Sequence, residues 1–321
     1  MSFEEDKKDM IKCLDCYKFN EYTCSTEEHL LKWLSQFNNQ DVILSEMVNI
    51  FRQTYLTEAR EDNYLKNTIK QDDFLDSLGN LNELSILNIQ RHGNSQKVYS
   101  DKVKEFFLTE KGIDIPINNY NAKTFLYVDD YLFTGTTAKW DILDRKESFS
   151  NKKIIFFFLG IHTSSYSHVE NELESNNIST QFWRLFLNEN RRDYSGGSDV
   201  FWPTEKFKND ERILLYQNTF VKPYDIVWRK PPLTTGKLQL FTSEENREII
   251  EEEFLFKSLD IFNTFQDPRF RPLGKSLFKS LGFGGTYISY RNCPNNTPLC
   301  LWWGEQTGDS YWYPLFHRIT N

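Results

Sequence analysis

Residues 124–137 have the sequence TFLYVDDYLFTGTT, which combines an apolar run, two acids and a glycine among threonines. The run at 124–128 is apolar, which is typical of a buried strand, and two adjacent acids, Asp129 and Asp130, follow it. Three threonines around Gly135 come next, and a helical pattern begins at residue 138. The order strand, turn, helix predicts one half of a βαβ unit, with the acids at the carboxyl end of a parallel strand.

The same alternation continues on both sides of this stretch. Further strand and helix patterns are found at 85–89, 100–111, 153–161, 167–175 and 179–183. Strands that alternate with helices predict a mostly parallel sheet and an α/β fold. We therefore predict three regions, which are a helical N-terminal region (1–80), an α/β core (81–202) and an aromatic-rich C-terminal extension packed on the core (203–321).

Composition excludes several classes of protein. The 321 residues carry a formal net charge of -8, and 16% of them are aromatic, so the chain can form a core and should not bind nucleic acids broadly. No run of 18 apolar residues is present, and the charged start lacks a secretory h-region. We expect no membrane partner and a cytoplasmic location. Cys13, Cys16 and Cys24 leave open a metal site or plain thiols.

The turn after the acids has the physical features of a phosphate cradle. Glycine has no Cβ, so the backbone can approach a ligand closely. Backbone N–H groups at a helix N-terminus favour an anion, and the hydroxyls add donors. The phosphate is therefore assigned to Thr134, Gly135, Thr136 and Thr137. The two acids can accept hydrogen bonds from sugar hydroxyls, or hold Mg²⁺ through water.

The segment resembles the phosphoribosyl-pyrophosphate signature of type I phosphoribosyltransferases, in which apolar residues, two acids and a short spacer precede T-G-x-T. The match covers residues 125–137 without a gap. The resemblance implies a Rossmann-like core, with Asp129 and Asp130 as catalytic residues at the ribose and the T-G-T-T turn at its 5′-phosphate. It also implies phosphoribosyl pyrophosphate or a nucleotide as the substrate, and Mg²⁺ as a cofactor.

A second loop, QRHGNSQK at 90–97, lies one βα unit before the acids. Type I phosphoribosyltransferases carry their pyrophosphate loop at this place. Arg91 and Lys97 would neutralise a diphosphate, while Gly93 and Ser95 would offer a close backbone and a hydroxyl donor. The residues alone are equally compatible with a polar surface turn.

Three other interpretations of the acidic pair stay open. YVDD at 127–130 also occurs in reverse transcriptase palms, which need another upstream acid and a basic template channel. Haloacid-dehalogenase phosphatases need two acids separated by one residue, whereas these two are adjacent. The acids are also compatible with an ordinary turn at the end of a strand.

The C-terminal region carries further motifs, which are PNNTP at 294–298, WWG at 302–304 and WYPLF at 312–316. Together with the helix around Trp33 and Phe37 and the acidic loop, they make the chain similar to phosphoribosyltransferase-like effectors of bacterial conflict systems, including those encoded beside retron reverse transcriptases. The resemblance implies a toxic role in anti-phage defence. It also implies restraint by a partner complex, such as a reverse transcriptase with its DNA–RNA hybrid.

Two hypotheses about function follow. The first is a glycosyltransferase of the pentosyltransferase type, which transfers the pentose or splits an N-glycosidic bond. The second is a non-catalytic module on the same fold, which senses a nucleotide or binds a partner protein.

Overall fold

The computed structural model describes residues 2–19, 24–91, 94–191, 197–221, 226–231, 240–265, 267, 269–276, 280–305 and 311–318. The chain forms two compact units. Unit 1 comprises Met1–Thr57 and Glu189–Asn321, and unit 2 comprises Glu58–Asn188. The predicted regions 1–80, 81–202 and 203–321 divide the chain sequentially, and this division stays a prediction.

The helices are, in chain order, α1 Phe3–Asp15, α2 Thr26–Leu34, α3 Gln40–Thr54, α4 Glu58–Lys70, α5 Asp72–Leu78, α6 Ser95–Lys111, α7 Thr136–Leu143, α8 Lys146–Phe149, α9 Thr163–Glu174, α10 Glu211–Tyr216, α11 Glu244–Phe265 and α12 Leu299–Trp302. The strands are β1 Leu84–Leu87, β2 Thr124–Leu132, β3 Lys153–His162 and β4 Ser179–Asn188. Among the described helices, none combines the length and the apolar character that a membrane span needs.

The strands of unit 2 form one sheet in the order β1-β2-β3-β4, and all three neighbouring pairs are parallel. Its central strand β3 has the sequence KIIFFFLGIH, and every residue after Lys153 is buried. Continuous apolar sequence is expected of a parallel strand that is covered on both faces. The predicted α/β fold with a parallel sheet is confirmed.

The prediction that the strand with the acids ends at residue 128 is wrong. β2 continues through Asp129 and Asp130 to Leu132, because β3 is long enough to pair with it up to the partners Leu132 and Ile161. β1 is shorter, and its last residue Leu87 pairs with Tyr127. Within the described strands, β2 therefore has a paired neighbour on one side only beyond Tyr127. The acids lie along this single-sided part of the strand.

The N-terminal helices and the C-terminal segment share the hydrophobic core of unit 1. The Trp33 indole N–H donates to the carbonyl of Cys300 at 3.0 Å, and His29 bonds the Tyr313 hydroxyl at 2.7 Å and the Leu315 carbonyl at 2.8 Å. Burial lowers the pKa of His29 to about 4, so this histidine is a neutral part of the core. The aromatic C-terminal motifs therefore have a structural role in unit 1.

A buried ion cluster lies in the same unit. Glu251 accepts from Arg247 at 2.8 Å and from Arg229 at 3.0 Å, and these three residues are at most 2% exposed. Arg247 also donates to two backbone carbonyls, of Ser198 and Val200, at 2.6 and 2.8 Å. These contacts pair the buried carboxylate with two guanidinium groups and join α11 to residues 198–200, a connection that no sequence pattern predicted.

Asp199 gives unit 1 a measurable pH dependence. Burial raises the pKa of its carboxyl to about 6, although Oδ2 accepts a hydrogen bond from the Glu189 amide at 2.8 Å. The folded state then holds a proton that the unfolded chain has already lost, so stability falls as the pH rises from about 4 to 6. Asp199→Asn should remove this fall, which is on the order of 2 kcal/mol. Urea unfolding between pH 4 and 8 measures it, with the exposed Asp101→Asn as control; an unchanged slope in Asp199→Asn would contradict the assignment.

Candidate functional site

The two acids of β2 have different surroundings. Asp129 is 7% exposed; its Oδ1 accepts from the Asp130 amide at 2.9 Å, and its Oδ2 accepts from the Gln90 side-chain amide at 3.2 Å. Asp130 is half-buried, and its Oδ1 accepts from the Tyr131 amide at 2.6 Å. Asp129 is therefore the inner acid, oriented by two protein donors, and Asp130 is the outer one.

Burial raises the pKa of the Asp129 carboxyl well above its ordinary value, and the neighbouring Asp130 carboxylate raises it further. The hydrogen bond from the Asp130 amide acts in the opposite direction. A ligand that donates hydrogen bonds or brings positive charge would favour the ionised form.

The turn after β2 has the conformation that its glycine predicts. Gly135 has φ +74° and is the N-cap of α7, so the predicted helix begins two residues earlier than expected, at Thr136. A Cβ on Gly135 would lie 2.5 Å from Cγ2 of Val169 in α9, so the turn is packed against its neighbour. The Thr134 and Thr136 hydroxyl oxygens are 3.2 Å apart. The four predicted phosphate residues thus lie together at the start of a helix.

The spacer of residues 131–133 joins the acids to the turn, and Gly160 leaves room for the first of its side chains, Tyr131. The Tyr131 ring packs over Gly160 of β3, where an added Cβ would lie 1.8 Å from a ring carbon. The Tyr131 hydroxyl donates to Oδ1 of Asn188, and the ring lies edge-on to His162 at a centroid distance of 5.1 Å. Tyr131 is therefore anchored in the sheet, which fixes the path of the chain from the acids to the turn.

Part of the second predicted loop lies near the acid pair. Ser95 and Lys97 lie in the first turn of α6, and Ser95 is close enough to influence Asp129. Arg91 makes an ion pair of 2.6 Å with Asp144, at the end of α7. Gly93 lies outside the described residues. Ser95 is thus the one of the described residues in this set that lies near Asp129, Arg91 lies at the C-terminal end of α7, and the pyrophosphate assignment stays a prediction.

Sequence reasoning missed several polar residues here. The side-chain oxygen of Gln96 accepts from the Gln90 backbone amide, and the side-chain oxygen of Gln90 accepts from the Gln96 backbone amide. The Gln90 side chain also contacts Asp129. Asp141 of α7 accepts from the buried Tyr127 hydroxyl at 2.9 Å. Glutamines in a polar loop and an acid inside a helix carry no motif, so only their tertiary placement identifies them.

The described residues fit a magnesium ion held through water rather than by a protein cage. They contain no cluster of three or more His, Cys, Asp or Glu residues able to hold a metal. The acid pair supplies two carboxylates, and both oxygens of Asp129 already accept from the protein. Mg²⁺ commonly takes few protein ligands and completes its shell with water and phosphate oxygens.

Of the cysteines that left a metal site open, Cys13 is half-buried in α1, and Cys16 is exposed at the end of that helix.

The parallel pairing of β2 and β3 excludes one alternative that the sequence left open, the palm of a reverse transcriptase. A polymerase palm requires a β-hairpin at YVDD, but β2 and β3 are parallel and α7 lies between them in the chain. The strand, the positive-φ glycine turn and the helix N-terminus are those of an anion-binding α/β site.

A comparison with protein-family models matches residues 30–318 to the family described as PRTase-CE. The match spans both units. A search of curated proteins finds none that matches the chain.

Proposed function

The chain belongs to the PRTase-CE family and contains a phosphoribosyltransferase-like domain, and from this premise we propose that it binds phosphoribosyl pyrophosphate, or a nucleotide with the same ribose 5-phosphate, and cleaves the bond at C1′. One observation carries the proposal: β2 and α7 bring an acid pair and a positive-φ glycine turn together within a single short segment. The acids that would bind the sugar hydroxyls then lie close in the chain to the backbone amides that would bind its phosphate.

The 5′-phosphate would bind at the start of α7. The first amides of a helix have no acceptor within the helix, and the helix dipole adds partial positive charge there. Thr134, Thr136 and Thr137 would supply hydroxyl donors, and the bare Cα of Gly135 would let the phosphate approach the backbone.

Asp129 and Asp130 would accept hydrogen bonds from the ribose hydroxyls. In the reaction, the C1′–O bond to the diphosphate breaks and the diphosphate leaves with the electron pair. A nitrogen of an acceptor base, or water, forms the new bond to C1′ and releases its proton. With a nucleotide as substrate, the C1′–N bond breaks, the base leaves with the electron pair and takes up a proton, and water forms the new bond to C1′ and releases a proton. The carboxylates would stabilise the positive charge that develops at C1′.

Arg91 and Lys97 would stabilise the leaving diphosphate. Arg91 is held by Asp144 and must change partner to do so. The Arg91 side chain is 58% exposed, and exposed ion pairs contribute about 1 kcal/mol or less, so a diphosphate can compete for it. Mg²⁺, when bound with the substrate, would neutralise phosphate charge and orient the leaving group.

We further propose that this activity makes the chain a toxic effector of an anti-phage system. Support comes from the resemblance of the C-terminal motifs and the acidic loop to retron-associated effectors. A reverse transcriptase with its DNA–RNA hybrid would restrain the activity until infection. Co-expression of such a complex should then relieve growth arrest, and continued arrest would count against this partner.

The alternative is a non-catalytic module that senses a nucleotide. It is favoured by one observation, that the inner carboxylate of Asp129 already has donors on both oxygens. Calorimetric titration with phosphoribosyl pyrophosphate and MgCl₂ tests binding, and metabolite profiling of expressing cells tests turnover. Binding with no change in any nucleobase or nucleotide supports the module, while absence of binding overturns both functions.

Lys97→Ala should weaken binding of phosphoribosyl pyrophosphate about tenfold and leave ribose 5-phosphate binding unchanged, because the cation is assigned to the diphosphate alone. Calorimetry with the two ligands measures the difference. Lys111→Ala removes the same charge from the far end of α6, about 21 Å away and beyond the screening length, and is the matched control. Equal losses for both ligands would contradict the assignment of Lys97.

A further inference from the structure

Two glutamines tie the loop after β1 to the start of α6. Gln96 is fully buried in the first turn of α6, and its Oε1 accepts from the amides of Ile89 at 2.5 Å and Gln90 at 2.7 Å. In return, Oε1 of Gln90 accepts from the Gln96 amide at 3.3 Å and from the Ser95 hydroxyl at 3.4 Å. Each side chain thus fixes the backbone that carries the other.

The remaining half of the Gln90 amide reaches the acid pair. Its Nε2 donates to Oδ2 of Asp129 at 3.2 Å. The orientation of the amide follows from its neighbours, because Oε1 faces two donors and Nε2 faces a carboxylate that can only accept when ionised. An intramolecular hydrogen bond contributes about 0.5–1.5 kcal/mol, and Asp129 is buried away from competing water, so this contact can orient its side chain.

We infer that Gln90 is a positioning residue for Asp129 and that Gln96 holds Gln90 in place, so that the loop and the acid pair act as one ligand-binding unit. The inference rests on the proposed function, because a fixed orientation of the Asp129 carboxylate favours binding only if ribose hydroxyls donate hydrogen bonds to it. The proposed function assigns Ser95 to the diphosphate and Asp129 to the ribose. Gln90 contacts both residues and would therefore link the two parts of the binding site.

Two isosteric substitutions separate this role from a purely structural one. Gln90→Glu keeps the acceptor for Gln96 and Ser95 but places an oxygen against Oδ2 of Asp129. Gln96→Glu keeps both accepted hydrogen bonds, and the Nε2 that it replaces has no hydrogen-bond partner in the described part of the chain. Both variants add one negative charge to the same loop. They differ in the contact with Asp129.

Binding of ribose 5-phosphate in MgCl₂, measured by calorimetry, is the test. We expect Gln90→Glu to weaken binding at least about tenfold more than Gln96→Glu does, in variants that a cooperative thermal transition shows to be folded. Equal losses in the two variants, with wild-type binding intact, would overturn the inference alone. A wild-type protein that binds neither ribose 5-phosphate nor phosphoribosyl pyrophosphate would overturn the proposed function and the inference with it.

A neutral pair keeps the test valid if a glutamate variant does not fold. Gln90→Met removes the contact with Asp129 without adding charge, and Gln96→Met removes the hydrogen bonds that hold the loop. We expect both to weaken ribose 5-phosphate binding, because Gln96 acts through Gln90. The double variant should then be no weaker than Gln90→Met, since the two residues act in series. Additive losses would contradict the series.

Discussion

Replacement of both acids, Asp129→Asn with Asp130→Asn, is expected to abolish binding of phosphoribosyl pyrophosphate and the toxicity of the chain in cells. Each substitution replaces a charged acceptor by a neutral amide at the site assigned to the ribose hydroxyls. Loss of two charge-assisted hydrogen bonds corresponds to about 3–6 kcal/mol, or roughly 10² to 10⁴ in affinity. Calorimetry and growth of expressing cells measure the two effects.

Unfolding should not account for this loss. Burial and the charge of Asp130 raise the pKa of Asp129, so the folded chain holds a proton to higher pH than the unfolded chain. The ionised carboxyl therefore costs stability as the pH rises, and asparagine removes that cost. This gain offsets the hydrogen bond that is lost where an NH2 group replaces one Asp129 oxygen, so we expect the double variant to remain folded at pH 8, which a thermal unfolding curve measures. A double variant that stays fully toxic would contradict the assignment of the acids.

Asp144→Asn is the matched control for charge. It removes an acid from the same region but leaves the acid pair intact, and it releases Arg91 from its ion pair. We expect phosphoribosyl pyrophosphate to bind at least as tightly as to wild type, because Arg91 becomes available to the diphosphate. A loss as large as in the double variant would mean that any acid near the site matters, whatever its geometry.

Gly135→Ala should reduce binding of ribose 5-phosphate by about a hundredfold or more. The φ of +74° costs an L-residue about 1–2 kcal/mol, and the new Cβ would lie 2.5 Å from Cγ2 of Val169. The turn must move to relieve this contact, and a displacement of about 1 Å at a binding site can cost a hundredfold. Calorimetry with ribose 5-phosphate in MgCl₂ measures the loss.

Gly112→Ala isolates the backbone part of this effect. Gly112 ends α6 with φ +69°, and a Cβ there would meet no atom within 4 Å. The control should lose about 1 kcal/mol of stability and keep its affinity for ribose 5-phosphate. Wild-type affinity in Gly135→Ala would show that the turn does not hold the phosphate.

Much of unit 2 was predictable because its signals are local. The apolar run of β3 and the alternation of strands with helices predict a parallel sheet, and Gly135 among threonines predicts a tight turn before a helix. Element ends were less predictable. The stop at residue 128 was wrong because acids are poor strand formers, whereas pairing with β3 carries β2 four residues further.

The apolar residues at 42–65 recur at helical spacing, and the structure of this stretch shows the same limit of local patterns. Its helical pattern at 42–65 is divided between α3 and α4, because Leu56 pairs with the C-terminal segment; its amide donates to Ile288 at 3.1 Å and its carbonyl accepts from Tyr290 at 2.8 Å. A partner more than 230 residues away in the chain leaves no trace in local periodicity.

By itself, the sequence determined the class of sheet, the order of strand, turn and helix around the acids, and the candidate residues for a ribose phosphate. These features depend on backbone preference and side-chain periodicity over a few neighbouring positions. Only the tertiary structure decided that Asp129 is the inner acid, that Gln90 contacts it, that Arg91 pairs with Asp144 and that the N-terminal helices and the C-terminal segment pack into one core. Such contacts join residues from different elements, and their energies depend on distance and burial, which exist only once the chain is folded.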